Sequence, residues 1–124
     1  MGCVSWSLEH FPEGKLSARR MERARLAARL QLEPIEEEFR RAGWSSTIGA
    51  SGTIRAAAEL ARRQGWCEEG CLTRSGLEQL EQAITDAGHV DALRLDGLEE
   101  ERRPVIAGGV AVLSAVFEGL DLQE

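Results

Sequence analysis

The chain is poor in several things that would point to particular functions. It has one Lys, at position 15, among 15 basic residues, against 21 acidic ones, for a net charge of −6. Nucleic-acid binders normally carry a basic face, so a nucleic-acid partner is not expected. The N-terminus MGCVSWSLEHFPEGK has no basic segment followed by a long apolar run, so it does not read as a secretion signal. The longest uncharged apolar stretch, Pro104 to Phe117, falls short of the roughly 20 residues that span a bilayer. It reads as a buried helix, and the expected location is cytoplasmic. Cysteine and histidine are scarce, three and two. Cys67 and Cys71 supply one close pair, whereas a zinc site needs four ligands, usually as two pairs. Cys3, Cys67 and Cys71 are expected to be reduced thiols, and His89 a surface histidine beyond a helix end.

Familiar catalytic motifs are also missing. Gly14-Lys15 is followed by Leu16, and Glu9 stands where a Walker A loop needs its first Gly. Gly49-Ala50-Ser51 starts like a nucleophile elbow, but position 53 is Thr where Gly is required. G-x-G-x-x-G is absent. The acidic runs Glu36-Glu37-Glu38 and Glu99-Glu100 read as solvated helix charge.

At 124 residues, 43% hydrophobic and 29% charged, the chain has the size and composition of one globular domain. Met1–Trp6 and Ser45–Ile48 read as short strands. A long helix is expected from Ser17 to Ala42. Ser17 is its N-cap, Leu16 and Met21 form a hydrophobic staple, and Gly43 is the stop. Met21, Ala24, Ala28, Leu32, Ile35 and Phe39 form its apolar face. Pro34 should kink or split it near Leu32. A second helix starts at the Gly49–Thr53 loop, with Ile54, Ala57, Ala58 and Ala61 inward, and ends at Gly65. Thr73 caps a third, carrying Leu77, Leu80, Ile84 and Ala87, stopped by Gly88. Val90–Leu98 holds a short extended piece. Glu99–Glu101 favour the start of a fourth helix, apolar nearly all round. Gly108-Gly109 weakens that helix by roughly 1 kcal/mol per residue, a cost best explained by close packing against another backbone. Two or three short strands with about four helices make an α/β, helix-rich fold.

Gly49-Ala50-Ser51-Gly52-Thr53 carries the most chemistry. Small residues admit a close backbone approach. The unpartnered N–H groups and dipole of a helix start can hold a phosphate, and the Ser51 and Thr53 hydroxyls add polar contacts. The alternative is a tight turn in which Ser51 or Thr53 simply caps the helix. Arg55 either reaches an anion or is an ordinary surface residue.

In order, MGCVSW, FPEG, FRRAGW, IGASGTIRAAAE, LTRSG and LRLDGLEEERRPVIAGGVAVLSAVFEGL resemble the bacterial exopolyphosphatase/guanosine pentaphosphate phosphatase family (Ppx/GppA) over essentially the whole chain. FPEG and GASGTIRAA look more like the exopolyphosphatase branch. The resemblance implies an actin-like ATPase fold of two ribonuclease H-like domains. It implies hydrolysis of terminal phosphates from polyphosphate or guanosine pentaphosphate, with magnesium. This chain then corresponds to a single partial domain, residues 1–124, of the second domain, without that domain's first hairpin and last strand. The family's Asp-x-Gly-Gly-(Gly/Ala)-Ser loop, its catalytic Glu and its Arg-Glu-Gly motif have no match here, so no catalytic residue or metal ligand carries over. Gly49, Ser51, Gly52 and Thr53 carry over as a phosphate- or nucleotide-facing loop. The isolated chain is expected to be inactive, and to cover exposed strand edges as a homodimer. The acidic balance implies that any basic substrate groove lies mostly outside these residues. The rival reading is a non-catalytic protein-interaction module.

Overall fold

The computed structural model describes residues 1–124 as five helices without a sheet: α1 (Cys3–His10), α2 (Ala18–Ala42), α3 (Gly52–Arg63), α4 (Arg74–Ala87) and α5 (Ile106–Gly119). Short 3-10 turns occupy Pro12–Gly14 and Val90–Ala92. The sequence signals at the helix ends behave as their chemistry requires. The side chains of Ser17, Ser51 and Thr73 accept the N–H groups of Arg20, Ile54 and Gly76. Gly88 closes α4 in the left-handed region, φ 77°, where a Cβ would be strained.

The expected strands are not formed. Met1–Trp6 contributes instead to α1. Helical phase puts Trp6 and Ser7 inside together, and both are buried. The Trp6 indole N–H donates to the Ala24 carbonyl at 3.0 Å. Ser45–Ile48 is an open loop, and Ile48 is 89% exposed. An extended segment gains little without a neighbour to share its backbone hydrogen bonds, and no second strand lies beside either segment. The one β-type contact is an isolated antiparallel bridge between Lys15 and His89. It pins the end of the FPEG turn to the end of α4, helped by Leu16 N–H donating to the Gly88 carbonyl at 2.9 Å. His89 completes the joint. Its Nδ1 accepts the Asp91 N–H, so Nε2 carries the proton and donates to the Glu13 carbonyl at 2.8 Å. The segment expected to be extended from Val90 begins with a 3-10 turn. The α/β expectation therefore gives way to a helical packing in these residues, and the strand edges that motivated pairing into a homodimer are not formed.

Two helix boundaries also differ. Pro34 lies inside a continuous α2. A proline leaves the carbonyl four residues back without its donor; here that residue is Leu30, 70% exposed, so water can take the hydrogen bond. The charged run Glu99–Arg103 forms turns, and α5 begins only at Ile106. Pro104 disfavours helical geometry at Arg103, which delays the start.

α5 is the centre of the packing. Eleven of its residues are buried, from Ile106 to Gly119, and α1, α2, α3 and α4 all pack on it. Gly108-Gly109 permits the closest approach. A Cβ at Gly108 would sit 2.7 Å from the Cys3 carbonyl and collide with Ser7. The Ser7 hydroxyl donates to the Val105 carbonyl and accepts the Gly108 N–H, both at 3.1 Å. On the opposite flank, Arg25 and Arg29 of α2 bind Glu81 of α4 (2.9 Å), Glu118 of α5 (3.5 and 3.1 Å) and Glu36 (3.0 Å). Glu36 is 9% exposed, and Ser114 faces Glu81 at 3.4 Å. Burial raises the Glu81 carboxyl above its ordinary value of 4.5, although Arg25 and Ser114 pull it down.

Two predictions follow from this packing. Gly108→Ala gains helix propensity but drives a methyl into α1 backbone, a neighbour that cannot rotate aside. Overpacking of this kind should lower unfolding free energy by about 2 kcal/mol, read as a lower urea midpoint; an unchanged or higher midpoint refutes the close approach. For Glu81 the folded chain binds the proton more tightly than the unfolded chain does. Its stabilising contribution is therefore complete below about pH 4.5 and is lost as pH rises through the raised value. The stability of the wild type relative to Glu81→Gln should fall as pH rises from about 4.5, in urea titrations at a series of pH values. A rise would show that the ion pair, not burial, dominates.

Candidate functional site

The loop Gly49–Ser51 enters α3 through the Ser51 cap, so the helix start lies at the surface. The Ser51 hydroxyl accepts the Ile54 N–H at 3.2 Å, and its carbonyl takes the Arg55 N–H. The Gly52 and Thr53 N–H groups have no partner within the chain. Such a helix start presents two free donors and the positive end of the dipole.

The four residues singled out in sequence have different surroundings. Gly49 rests on Ile54, whose side chain occupies the space a Cβ would need. Ser51 is exposed and acts as the cap. Gly52 faces Arg102; a Cβ there would lie 2.9 Å from Arg102 Nη2. Thr53 turns inward, its methyl pressed against Gly109 of α5. Ile54 thus leaves little room for a side chain at Gly49, whereas Gly52 meets only the flexible end of Arg102. Ser51 and Gly52 share the open end of α3, whereas Thr53 serves the α3–α5 contact.

Arg102 is the residue that the sequence reading missed. It lies 50 positions beyond Gly52, in a turn that looked like the beginning of a helix, and no local pattern links the two. Together with Arg55 it lines a cleft of about 270 Å³ that also includes Gly52, Glu59, Leu98 and Glu99. Neither Arg55 nor Arg102 takes part in an ion pair, whereas Glu59 is held by Arg62 at 2.7 Å and Arg63 at 2.9 Å. Those hydrogen bonds lower the Glu59 carboxyl to about 2 and hold the Arg62 guanidinium more firmly charged. Glu59 is consequently a fixed carboxylate at neutral pH and has no proton to give as a general acid.

On the other flank of α3 runs a larger cleft of about 640 Å³, mostly apolar, between Ile48, Ile54, Leu72, Leu113 and Phe117, with Arg55 and Glu59 at its edge. The polar, Arg-bearing cleft and the apolar one are therefore neighbours that share Arg55 and Glu59.

The surroundings do not fit magnesium. That ion is held by carboxylate and other oxygen ligands with several waters. Glu59 and Glu99 are the carboxylates of this cleft; Glu59 is committed to two arginines, and no group of three or more His, Cys, Asp or Glu side chains is placed to hold a metal ion. What the arrangement can do is bind an anion at the α3 start. No helix of the chain is long and apolar enough to cross a membrane.

Comparison with known proteins places this geometry in context. A guanosine-5'-triphosphate,3'-diphosphate pyrophosphatase from Aeromonas hydrophila is 40% identical over 123 residues, covering 99% of this chain and 24% of that protein. The protein of the same description from Aeromonas salmonicida is 39% identical over the same span and shares. The chain thus spans about a quarter of the length of these curated relatives. The profile of the Ppx/GppA phosphatase family matches residues 1–124, and the chain belongs to that family.

Proposed function

We propose that this chain is a segment of a phosphatase that hydrolyses the 5'-terminal phosphoanhydride of guanosine pentaphosphate, and that the α3 start contacts the substrate's phosphates. The observation that carries the site is the approach of the unpaired Arg102 guanidinium to Gly52, at the helix start whose Gly52 and Thr53 N–H groups have no partner within the chain. Guanidinium and helix N–H groups are complementary to phosphate oxygens in charge and geometry. The names of the Aeromonas relatives support guanosine pentaphosphate over the inorganic polyphosphate to which the FPEG and GASGTIRAA wording leans.

The residues present supply anion binding and orientation. Ser51 fixes the helix start, Gly52 leaves the N–H groups accessible, and Arg102 and Arg55 provide positive charge. Glu59, tied to Arg62 and Arg63, is not the base that activates water. In this reading the nucleophile-activating carboxylate and the magnesium belong to other parts of the enzyme, as does the rest of the second ribonuclease H-like domain. Magnesium, where bound, neutralises charge on the transferring phosphoryl group.

Calorimetric titration of the purified chain with guanosine pentaphosphate and, separately, with inorganic tripolyphosphate tests the proposal. Guanosine pentaphosphate should bind the more tightly. Arg102→Gln should weaken its binding roughly tenfold, the loss of about 1.4 kcal/mol expected for a charge-assisted contact, with the circular dichroism spectrum unchanged. Equal binding by wild type and variant removes Arg102 from the site, and tighter tripolyphosphate binding restores the polyphosphate reading. Phosphate release by the chain with magnesium should stay at background; sustained turnover would contradict the assignment of catalysis to other parts of the enzyme.

A further inference from the structure

Helical phase sorts the surface of α3 into rows. Gly52 and Ala56 stand on one row, Ile54 and Ala58 on another, and Arg55 and Glu59 form the row between them. Gly52 and Ala56 line the polar cleft that holds Arg102, whereas Ile54 and Ala58 line the apolar cleft of about 640 Å³. Arg55 and Glu59 border both. A molecule whose phosphates occupy the α3 start can therefore cross the Arg55–Glu59 row and place its remaining part in the apolar cleft.

The apolar cleft has the make-up of a small-ligand site, in which apolar walls carry a few polar groups. Leu72, Leu113 and Phe117 supply buried wall, and Ile48 leaves its side chain open to water. Glu59 holds Arg62, and Glu124 stands beside the Cys71 thiol. Glu69 is the wall carboxylate with neither partner. Inorganic polyphosphate is charged along its whole length and gains nothing from covering Ile48 or Ile54. A purine has apolar faces to bury. Guanine also presents N–H donors side by side, at N1 and at the N2 amino group, and a carboxylate can accept both. Adenine has a ring acceptor at N1, which a carboxylate repels.

We infer that the apolar cleft is the subsite for the guanine base of the nucleotide, with Glu69 as the carboxylate that recognises the base edge. The inference rests on the reading of the α3 start as the phosphate site and extends it. The phosphates meet Gly52 and Arg102, the ribose lies over the Arg55–Glu59 row, and the base enters the cleft lined by Ile54, Ala58 and Phe117. Arg55, which forms no ion pair, adds positive charge where the two clefts join. The cleft thus supplies what separates a nucleotide from a bare phosphate chain: apolar contact for the purine faces and a carboxylate for the guanine edge.

NMR titration of the wild-type chain tests the two parts separately. The Gly52 and Thr53 amides report the phosphate site, and the Ile48, Ile54 and Val116 methyls report the cleft. Guanosine pentaphosphate should shift both sets, and inorganic tripolyphosphate the amides alone. Shifted amides with unmoved methyls would overturn the cleft inference and leave the phosphate reading standing. Unmoved amides would overturn the phosphate reading and this inference with it. In calorimetry, guanosine 5'-triphosphate should bind roughly tenfold more tightly than adenosine 5'-triphosphate, and Glu69→Gln should remove that preference. Ala58→Phe, which fills the cleft, should weaken guanosine pentaphosphate binding roughly tenfold and leave tripolyphosphate binding as it was, with the circular dichroism spectrum unchanged. Equal binding of the two triphosphates by the wild type, or equal weakening of nucleotide and tripolyphosphate by Ala58→Phe, would overturn the inference.

Discussion

Ser7 joins two parts of the chain 101 residues apart, accepting the Gly108 N–H while its own hydroxyl donates to the Val105 carbonyl. That pair of hydrogen bonds ties α1 to the first turn of α5 and satisfies its Gly108 N–H; the helix has no side-chain cap of its own. It is possible only because Gly108 and Gly109 carry no side chain. The contact brings α1 against α5, and the same pair of glycines lets Thr53 of α3 rest on Gly109. The α3 start, and with it Ser51, Gly52 and the cleft shared with Arg102, is therefore placed by the packing of α5. A buried polar contact of this kind costs little when each group is satisfied and a great deal when one is not.

The second constraint is the ion network on the far side of α5. Arg25 and Arg29 reach Glu81, Glu118 and Glu36, so α2, α4 and α5 share charges as well as apolar surface. α2 is longer than the helices it packs on. The apolar face expected from Met21 to Phe39 is buried at Met21, Ala24 and Ala28, whereas Ile35 is 44% and Phe39 52% exposed.

Helix ends and helix faces were legible because their causes are local. Ser17, Ser51, Thr73, Gly43 and Gly88 act within three or four residues of where they stand. The apolar stripe of α4 needs only the helical period. The tight packing at Gly108-Gly109 was legible for a related reason, since two glycines in an apolar helix have a cost that something must offset. MGCVSW and Trp44–Ile48 misled because β-compatible residues specify a strand only when a second strand completes the ladder. The boundary of α5 was misread because the acidic run was weighed without Pro104. In the candidate site, the Gly49–Thr53 loop could be read from its composition. Arg102 could not, because its relation to Gly52 exists only after α5 and the turns before it have folded back over α3.

The sequence by itself determined the ends of α2 and α4, the apolar stripe of α4, and the family to which the ordered motifs belong. These follow from local chemistry and from the order of short segments. Tertiary structure alone decided that Thr53 faces inward while Gly52 faces out, and that Arg102 stands beside the α3 start. Each of these depends on which side chains share a space, and the close approach of α1 and α3 to the glycines of α5 sets that sharing.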